Sequence, residues 1–222
     1  MNKNYIYLSH FLSENTPTYG KRDKFKIKKT SSIENGDTAN SHSLNLSTNH
    51  MSTHIDLPKH FFDNGQNLND FNPSYWFYNH VSLIDLPKEN GELIVLEDFL
   101  KHEFNPKTEI LLIKTGFEKF RDKDEYWKEN PGVSPEVADY LRKRCPNIRT
   151  LGFDFISLTS FKHRAIGKEA HQAFLNPERP ITIIEDMHLE NLNISPISLS
   201  VAPLLVKDID SAPVNVIALL NN

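Results

Sequence analysis

Residues 50–60 read HMSTHIDLPKH, three histidines and an aspartate within eleven positions. The chain has ten histidines in 222 residues, so a window of this length should hold roughly 0.5. His50, His54, Asp56 and His60 all fall on even positions, the spacing that puts side chains on one face of a strand. A regular strand rises ~3.3 Å per residue, which would hold His50 and His60 about 33 Å apart, too far for one site. A helix would set His50 beside His54 but turn Asp56 off that face. The stretch therefore predicts a short strand carrying His54 and Asp56, bent at its flanks, with Ser52 and Pro58 as the points of bending.

Imidazole and carboxylate groups are ligands for Zn²⁺ or Mn²⁺, and three of them leave a position open for water. An ion in such a setting brings the pKa of water towards ~7. A fourth group, His60, is then placed to move protons to and from water and a leaving group. The alternative is a set of loop histidines with no shared role.

Outward from this stretch, residues 5–9 (YIYLS) predict a strand, and residues 30–49 are rich in Ser, Thr and Asn, with a turn at Asn35-Gly36 and a strand over 43–48. Residues 76–86 (WFYNHVSLIDL) and 108–115 (TEILLIKT) have strand character, and VLEDFLKHEF between them has helical spacing. VSPEVADYLRKRCPN predicts a helix with Ser134 as cap, Pro135 in the first turn and Arg142–Arg144 at the negative end. Residues 150–155 predict a strand, 165–175 a helix, 181–185 a buried strand, and the tail two more strands. Strands and helices interleave without strict alternation, so the fold class expected is α/β with a mixed sheet, one domain over residues 1–222.

Composition narrows the function. Hydrophobic residues make up 38% and charged residues 24%, with a formal net charge of −4 and no long basic stripe, which argues against a nucleic-acid partner. No run approaches the ~20 apolar residues that cross a bilayer. The first seventeen residues are too polar for a secretory leader. Cys145 is the single cysteine, which excludes an internal disulfide and a thiolate cluster. A cytoplasmic protein acting on a small molecule, with no membrane partner, is the expectation.

HMSTHIDLPKHF resembles the H-x-G-T-H-x-D-x-P-x-H-F signature of the metal-dependent cyclase family, which includes bacterial kynurenine formamidases and isatin hydrolases. YLSHFLSENTPTYG, LIKTGFEKF, ENPGVSPEVADYL, IRTLGFDFISLTS and KEAHQAFLNPERPITIIEDM resemble further segments of that family, in order. The resemblance implies a swivelling β/β/α single domain and a homodimer or dimer-based homo-oligomer. It implies that His50, His54 and Asp56 bind one ion and that His60 is the catalytic acid/base. In two-ion members the aspartate bridges to a second ion, whose ligands would here be His171 and Glu185. Glu185 also follows four apolar residues, where a lone carboxylate needs a partner.

Two positions depart from the pattern. Ser52 stands where the signature has glycine, and TPTYGKRD, with Tyr19 as a candidate substrate-binding residue, stands where formamidases carry a WPGD-like loop. The activity implied is hydrolysis of a non-peptide C–N bond, an aryl formamide or a cyclic amide. A cyclising or dehydrating reaction and a non-catalytic metal- and ligand-binding homologue are the alternatives. YWFY at 75–78 reads as core, 120–129 as a lid or a solvated connection, and His10, His42, His80, His102, His163 and His188 as ordinary histidines. No G-x-S-x-G elbow points to a serine hydrolase.

Overall fold

A run of four apolar residues, Ile110 to Ile113, forms the middle of strand β8 (Ile110–Lys114) and is buried on both faces. The computed structural model describes residues 4–221, so the first three residues of the polar N-terminal stretch lie outside it. The other strands are β1 (Asn4–Tyr7), β2 (Phe25–Ser31), β3 (Ser41–Leu46), β4 (His54–Asp56), β5 (Phe77–Tyr78), β6 (Val81–Asp85) and β7 (Leu93–Ile94). After β8 come β9 (Gly132–Val133), β10 (Thr150–Phe153), β11 (Thr182–Glu185), β12 (Ser198–Pro203) and β13 (Ser211–Leu220). The helices are α1 (Leu96–Phe99), α2 (Glu125–Lys128), α3 (Glu136–Arg144) and α4 (Arg164–Phe174).

Nine strands make one mixed sheet in the order β5-β12-β13-β4-β11-β10-β8-β6, with β1 also on β13. Strands β6, β8, β10 and β11 run parallel, and β4 lies antiparallel between β11 and β13. The fold is thus mixed α/β, as the sequence pattern predicts. Alternation sorts the side chains. Leu111, Ile113, Leu151, Phe153 and Ile183 face α3 and α4, whereas Ile55, Ile110, Leu112 and Ile184 face the opposite core. Each such fully buried side chain contributes roughly 1.5–3 kcal/mol.

That sorting places the acidic and imidazole groups. Ile55 pairs with Ile184 and both enter the second core, so their neighbours His54, Asp56 and Glu185 must point to the helical side. Helix α4 crosses that face with Ala170 and Phe174 in the core and His171 between them and the sheet. A Cβ on Gly167 would meet Thr159 Oγ1 at 2.4 Å, so only glycine lets α4 approach the loop after β10. Arg142 of α3 donates to the Ala173 and Phe174 carbonyls at 2.6 and 3.1 Å, capping α4 rather than ending its own helix in solvent.

Three expectations are corrected, and one strand, β2, is added. The helix expected over 95–104 is a single turn, because the backbone beyond it closes i to i−3 bonds, Leu100 N–H to Glu97 O and His102 N–H to Phe99 O, instead of continuing the helix. Ser134 gives α3 no side-chain cap; Pro135 holds that position. Residues 76–86 are two strands, broken where Glu109 accepts from the Asn79 and His80 amides. β2, masked in the sequence by its lysines, pairs with β3 as an exposed hairpin. Trp76 and Tyr78 are core, as read, while Phe77 is exposed. Residues 120–129 form a turn and α2, with Tyr126 fully buried. No described helix is long and apolar enough to cross a membrane.

Candidate metal centre

β4 is only three residues long because both of its ends are bent. Ser52 adopts φ 57, and Pro58 opens a 3-10 turn that ends at His60. The first bend brings His50 back over Asp56, with Nδ1 3.0 Å from Oδ1. The second brings His60 within 4.2 Å of the His50 ring, centroid to centroid. Serine pays of order 1 kcal/mol for the left-handed backbone. The conformation directs its carbonyl to His54 Nδ1 at 2.8 Å.

His50, His54 and His171 surround the carboxylates of Asp56 and Glu185. His54 Nε2 lies 3.5 Å from Asp56 Oδ1 and 3.4 Å from Glu185 Oε2. His171 Nε2 lies 3.7 Å from Asp56 Oδ2 and 3.6 Å from Glu185 Oε1. His171 Nδ1 donates to the Gly167 carbonyl at 2.8 Å, one helical turn back. In both His54 and His171 the Nδ1–H is therefore committed to backbone, leaving the Nε2 lone pair aimed inward, the form in which imidazole binds a metal. Glu185 Oε1 accepts from the Leu158 amide at 2.7 Å, which fixes the carboxylate.

The residues fit a divalent ion. His54 Nε2 and Asp56 Oδ1 are buried and have no hydrogen-bond partner among the described residues. Two fully buried carboxylates in one spot demand positive charge. Burial disfavours protonation of His50 and His171, yet Asp56 with Asp210 raises the first to about 10, and Asp56 with Glu185 raises the second to about 9. The same attraction holds Asp56 well below the usual carboxylate range against its burial. Imidazole nitrogens with carboxylate oxygens are the donor set of Zn²⁺ and Mn²⁺. Two triads of donor atoms each lie within 4.8 Å, His54–Asp56–Glu185 and His50–Asp56–His60, with Asp56 common to both. The grouping differs from the expected His50–His54–Asp56 set, because the register pairs His54 with Glu185 across the sheet.

Residues without a signal in the sequence complete the centre. Asp210, on the loop entering β13, accepts from His60 Nδ1 at 2.9 Å and lies 3.5 Å from His50 Nε2. Hydrogen bonds from His50 and His60 hold its carboxyl far below the usual range. Asp186, also in left-handed backbone, takes two bonds from Arg121 at 2.9 and 2.8 Å and one from Tyr126 at 2.5 Å. Arg121 reaches on to Ser52 Oγ at 3.2 Å, so this ion pair braces the bend before His54. His10 and His188, read as ordinary, flank Glu118 behind that brace. Over the centre opens a cavity of about 480 Å³, walled by Tyr19, Phe61, His60, Ser157, Arg22 and Arg164.

A family model described as "Putative cyclase" matches residues 6–159. A protein of Methanocaldococcus jannaschii described only as uncharacterized is 32% identical over 174 residues, 77% of this chain and 78% of its own. A kynurenine formamidase of Bacillus thuringiensis subsp. konkukian is 25% identical over 213 residues, 96% of both chains. Isatin hydrolase A from Labrenzia aggregata superposes with a TM-score of 0.85 at 20% identity, covering 99% of this chain and 94% of the other. At that identity the superposition shows a shared fold.

Proposed function

This chain belongs to the cyclase family, and from that premise we propose that it is a metal-dependent hydrolase of a non-peptide C–N bond, an aryl formamide or a cyclic amide. The observation that carries the reading is the buried, unpartnered pair His54 Nε2 and Asp56 Oδ1 at the floor of an open cavity. The kinship to a kynurenine formamidase and the fold shared with an isatin hydrolase support it.

In this reading His50, His54, Asp56, His171 and Glu185 hold one or two ions, zinc or manganese. When bound, such an ion supplies Lewis acidity, acidifying water and polarising a carbonyl oxygen. The chain supplies the rest. Asp210 takes the Nδ1 proton of His60 in a hydrogen bond, which orients the ring and leaves Nε2 to pass a proton to the departing nitrogen. Tyr19 and Phe61 flank the cavity and pack on a planar substrate. Ser157 and the Leu158 amide hold Glu185 and limit its movement during turnover.

Hydrolysis of N-formylkynurenine and of isatin should be undetectable in chelator-stripped protein and return on adding Zn²⁺ or Mn²⁺. Metal-independent turnover, or none with either metal on a panel of formamides and lactams, would refute the reading. A cytoplasmic location belongs to the same proposal, consistent with the buried free thiol of Cys145. So does a homodimer. Tyr7, Phe11, Leu44 and Leu205 are exposed around an apolar groove between β1 and the β2–β3 hairpin, the sort of surface a second copy covers. Sedimentation should give twice 25.6 kDa, and a monomer at micromolar concentration would end that part of the proposal.

A further inference from the structure

The wall of the cavity carries two cations that the hydrolytic chemistry does not use. Arg22 and Arg164 both line it, and neither is ion-paired to a carboxylate among the described residues; Arg164 reaches only the Tyr19 hydroxyl. Arg121, Arg142, Arg149 and Arg179, by contrast, all donate to carboxylates or carbonyls. An unpaired surface arginine is ordinarily a solvated, mobile side chain. These two are held in place. The Arg164 guanidinium lies 4.1 Å from the Phe161 ring centroid, a cation–π contact that fixes its plane. Phe161 is itself packed between Tyr19, at 5.6 Å, and Trp127, at 5.1 Å. Arg22 folds back over Gly20, whose φ is 72; a Cβ there would meet Nε at 3.2 Å.

Tyr19 ties this pair to the metal centre. Its hydroxyl is buried in the cavity wall beside the Arg164 guanidinium. Burial raises its pKa, and the positive charge of Arg164 opposes that rise. The phenol is thus a neutral donor beside a charged one, on the wall of the cavity that the metal centre floors. Asp23, on the same wall, accepts from the Ser47 hydroxyl at 2.9 Å rather than from either arginine.

We propose that Arg164, Arg22 and the Tyr19 hydroxyl form an anion subsite, and that the substrate carries a carboxylate on the part of the molecule remote from the scissile C–N bond. The planar fork of a guanidinium matches a carboxylate with two parallel N–H donors. A guanidinium already stacked on an aromatic ring loses little further freedom on binding, which is the condition for it to add affinity. Phe61, which stacks on His171 at 4.6 Å, offers a ring face at the metal end of the same cavity. The substrate class is then an aromatic or cyclic amide bearing an acid, rather than a neutral lactam. This inference rests on the hydrolase reading for the bond cleaved, but not for the binding of the acid.

The test uses 4-formamidobenzoate and formanilide, which differ by one carboxylate. Binding is read by calorimetry on the Zn²⁺-loaded His60→Asn chain, so that turnover does not interfere. The acid should bind at least about 10-fold tighter, the value of one charge-assisted contact of about 1.4 kcal/mol. Adding Arg164→Ala, on an exposed residue, should reduce the contrast to under about threefold, and Arg22→Ala should reduce it in part. Equal binding of the two compounds, no measurable binding, or a contrast that survives both arginine substitutions overturns the subsite; the last would mean that the acid sits directly on the metal. If wild-type protein hydrolyses neither compound while the Arg164-dependent contrast is present, the hydrolase reading fails and the subsite stands.

Discussion

Replacing His54 with alanine should take bound zinc to background and lower turnover by about a thousandfold or more. His54 is 4% exposed, and its Nε2 lies within 3.5 Å of carboxylate oxygens on both Asp56 and Glu185. His171 Nε2 also approaches both carboxylates, but at 3.7 and 3.6 Å it lies slightly farther from each. Lewis-acid stabilisation is worth several kcal/mol, and about 4 kcal/mol corresponds to a thousandfold in rate. Alanine would also leave two buried carboxylates facing each other with less compensation, a loss of about 3–5 kcal/mol in the metal-free protein. His54→Gln, which keeps the volume, separates loss of a ligand from loss of fold. Metal content by elemental analysis, read beside circular dichroism, decides the matter. A folded variant with stoichiometric metal and undiminished activity would remove His54 from the centre.

The part of this centre that is legible in the sequence is the part made by local geometry. Alternation along HID puts His54 and Asp56 on one face, and the need to gather His50 and His60 forces the two bends at Ser52 and Pro58. Glu185 is legible because a lone acid ends an apolar strand. His171 is not legible from periodicity alone, since an imidazole on an amphipathic helix is compatible with a solvated face. Its identification rested on likeness to the family. Asp210 carries no local mark at all. It meets His60 from 150 residues away, and only the antiparallel pairing of β13 with β4 brings the residue before Ser211 beside this loop.

The same division holds for the fold. Strands buried on both faces, such as β8 and β11, are visible as apolar runs, because the physics that buries them also selects their composition. β2 is not, since a hairpin standing in solvent has lysines at three of its seven positions and is held by backbone pairing with β3. The helix expected over 95–104 is cut to one turn where i to i−3 bonds at Leu100 and His102 replace the helical ladder in spite of the apolar spacing. Arg121 and Asp186 are likewise an interior pair that only the folded chain assembles. Asp210 with His60 and Arg121 with Asp186 are contacts between distant segments, which leave no periodic trace.

His60→Asn should lower kcat by about 10²–10⁴-fold, the usual worth of a positioned acid or base, while leaving the metal content unchanged. Two roles compete for this residue. Its ring nitrogen belongs to a donor triad with His50 and Asp56, which would make it a ligand. It is also hydrogen-bonded through Nδ1 to Asp210, the arrangement that orients a proton-transferring imidazole. Metal content separates the two. If His60 is a ligand, the asparagine variant loses an ion together with activity. If it moves protons, zinc stays bound, and kcat and kcat/KM fall together because the interaction lost is one made in the transition state. Asp210→Asn then supplies the control. It removes the carboxylate that orients the ring and should cost about 10- to 100-fold, the range seen when an orienting partner is lost. In the double variant the two losses should not add, since Asp210 acts only through His60. Fully additive losses would instead give Asp210 a separate role at His50, whose Nε2 lies 3.5 Å from the same carboxylate.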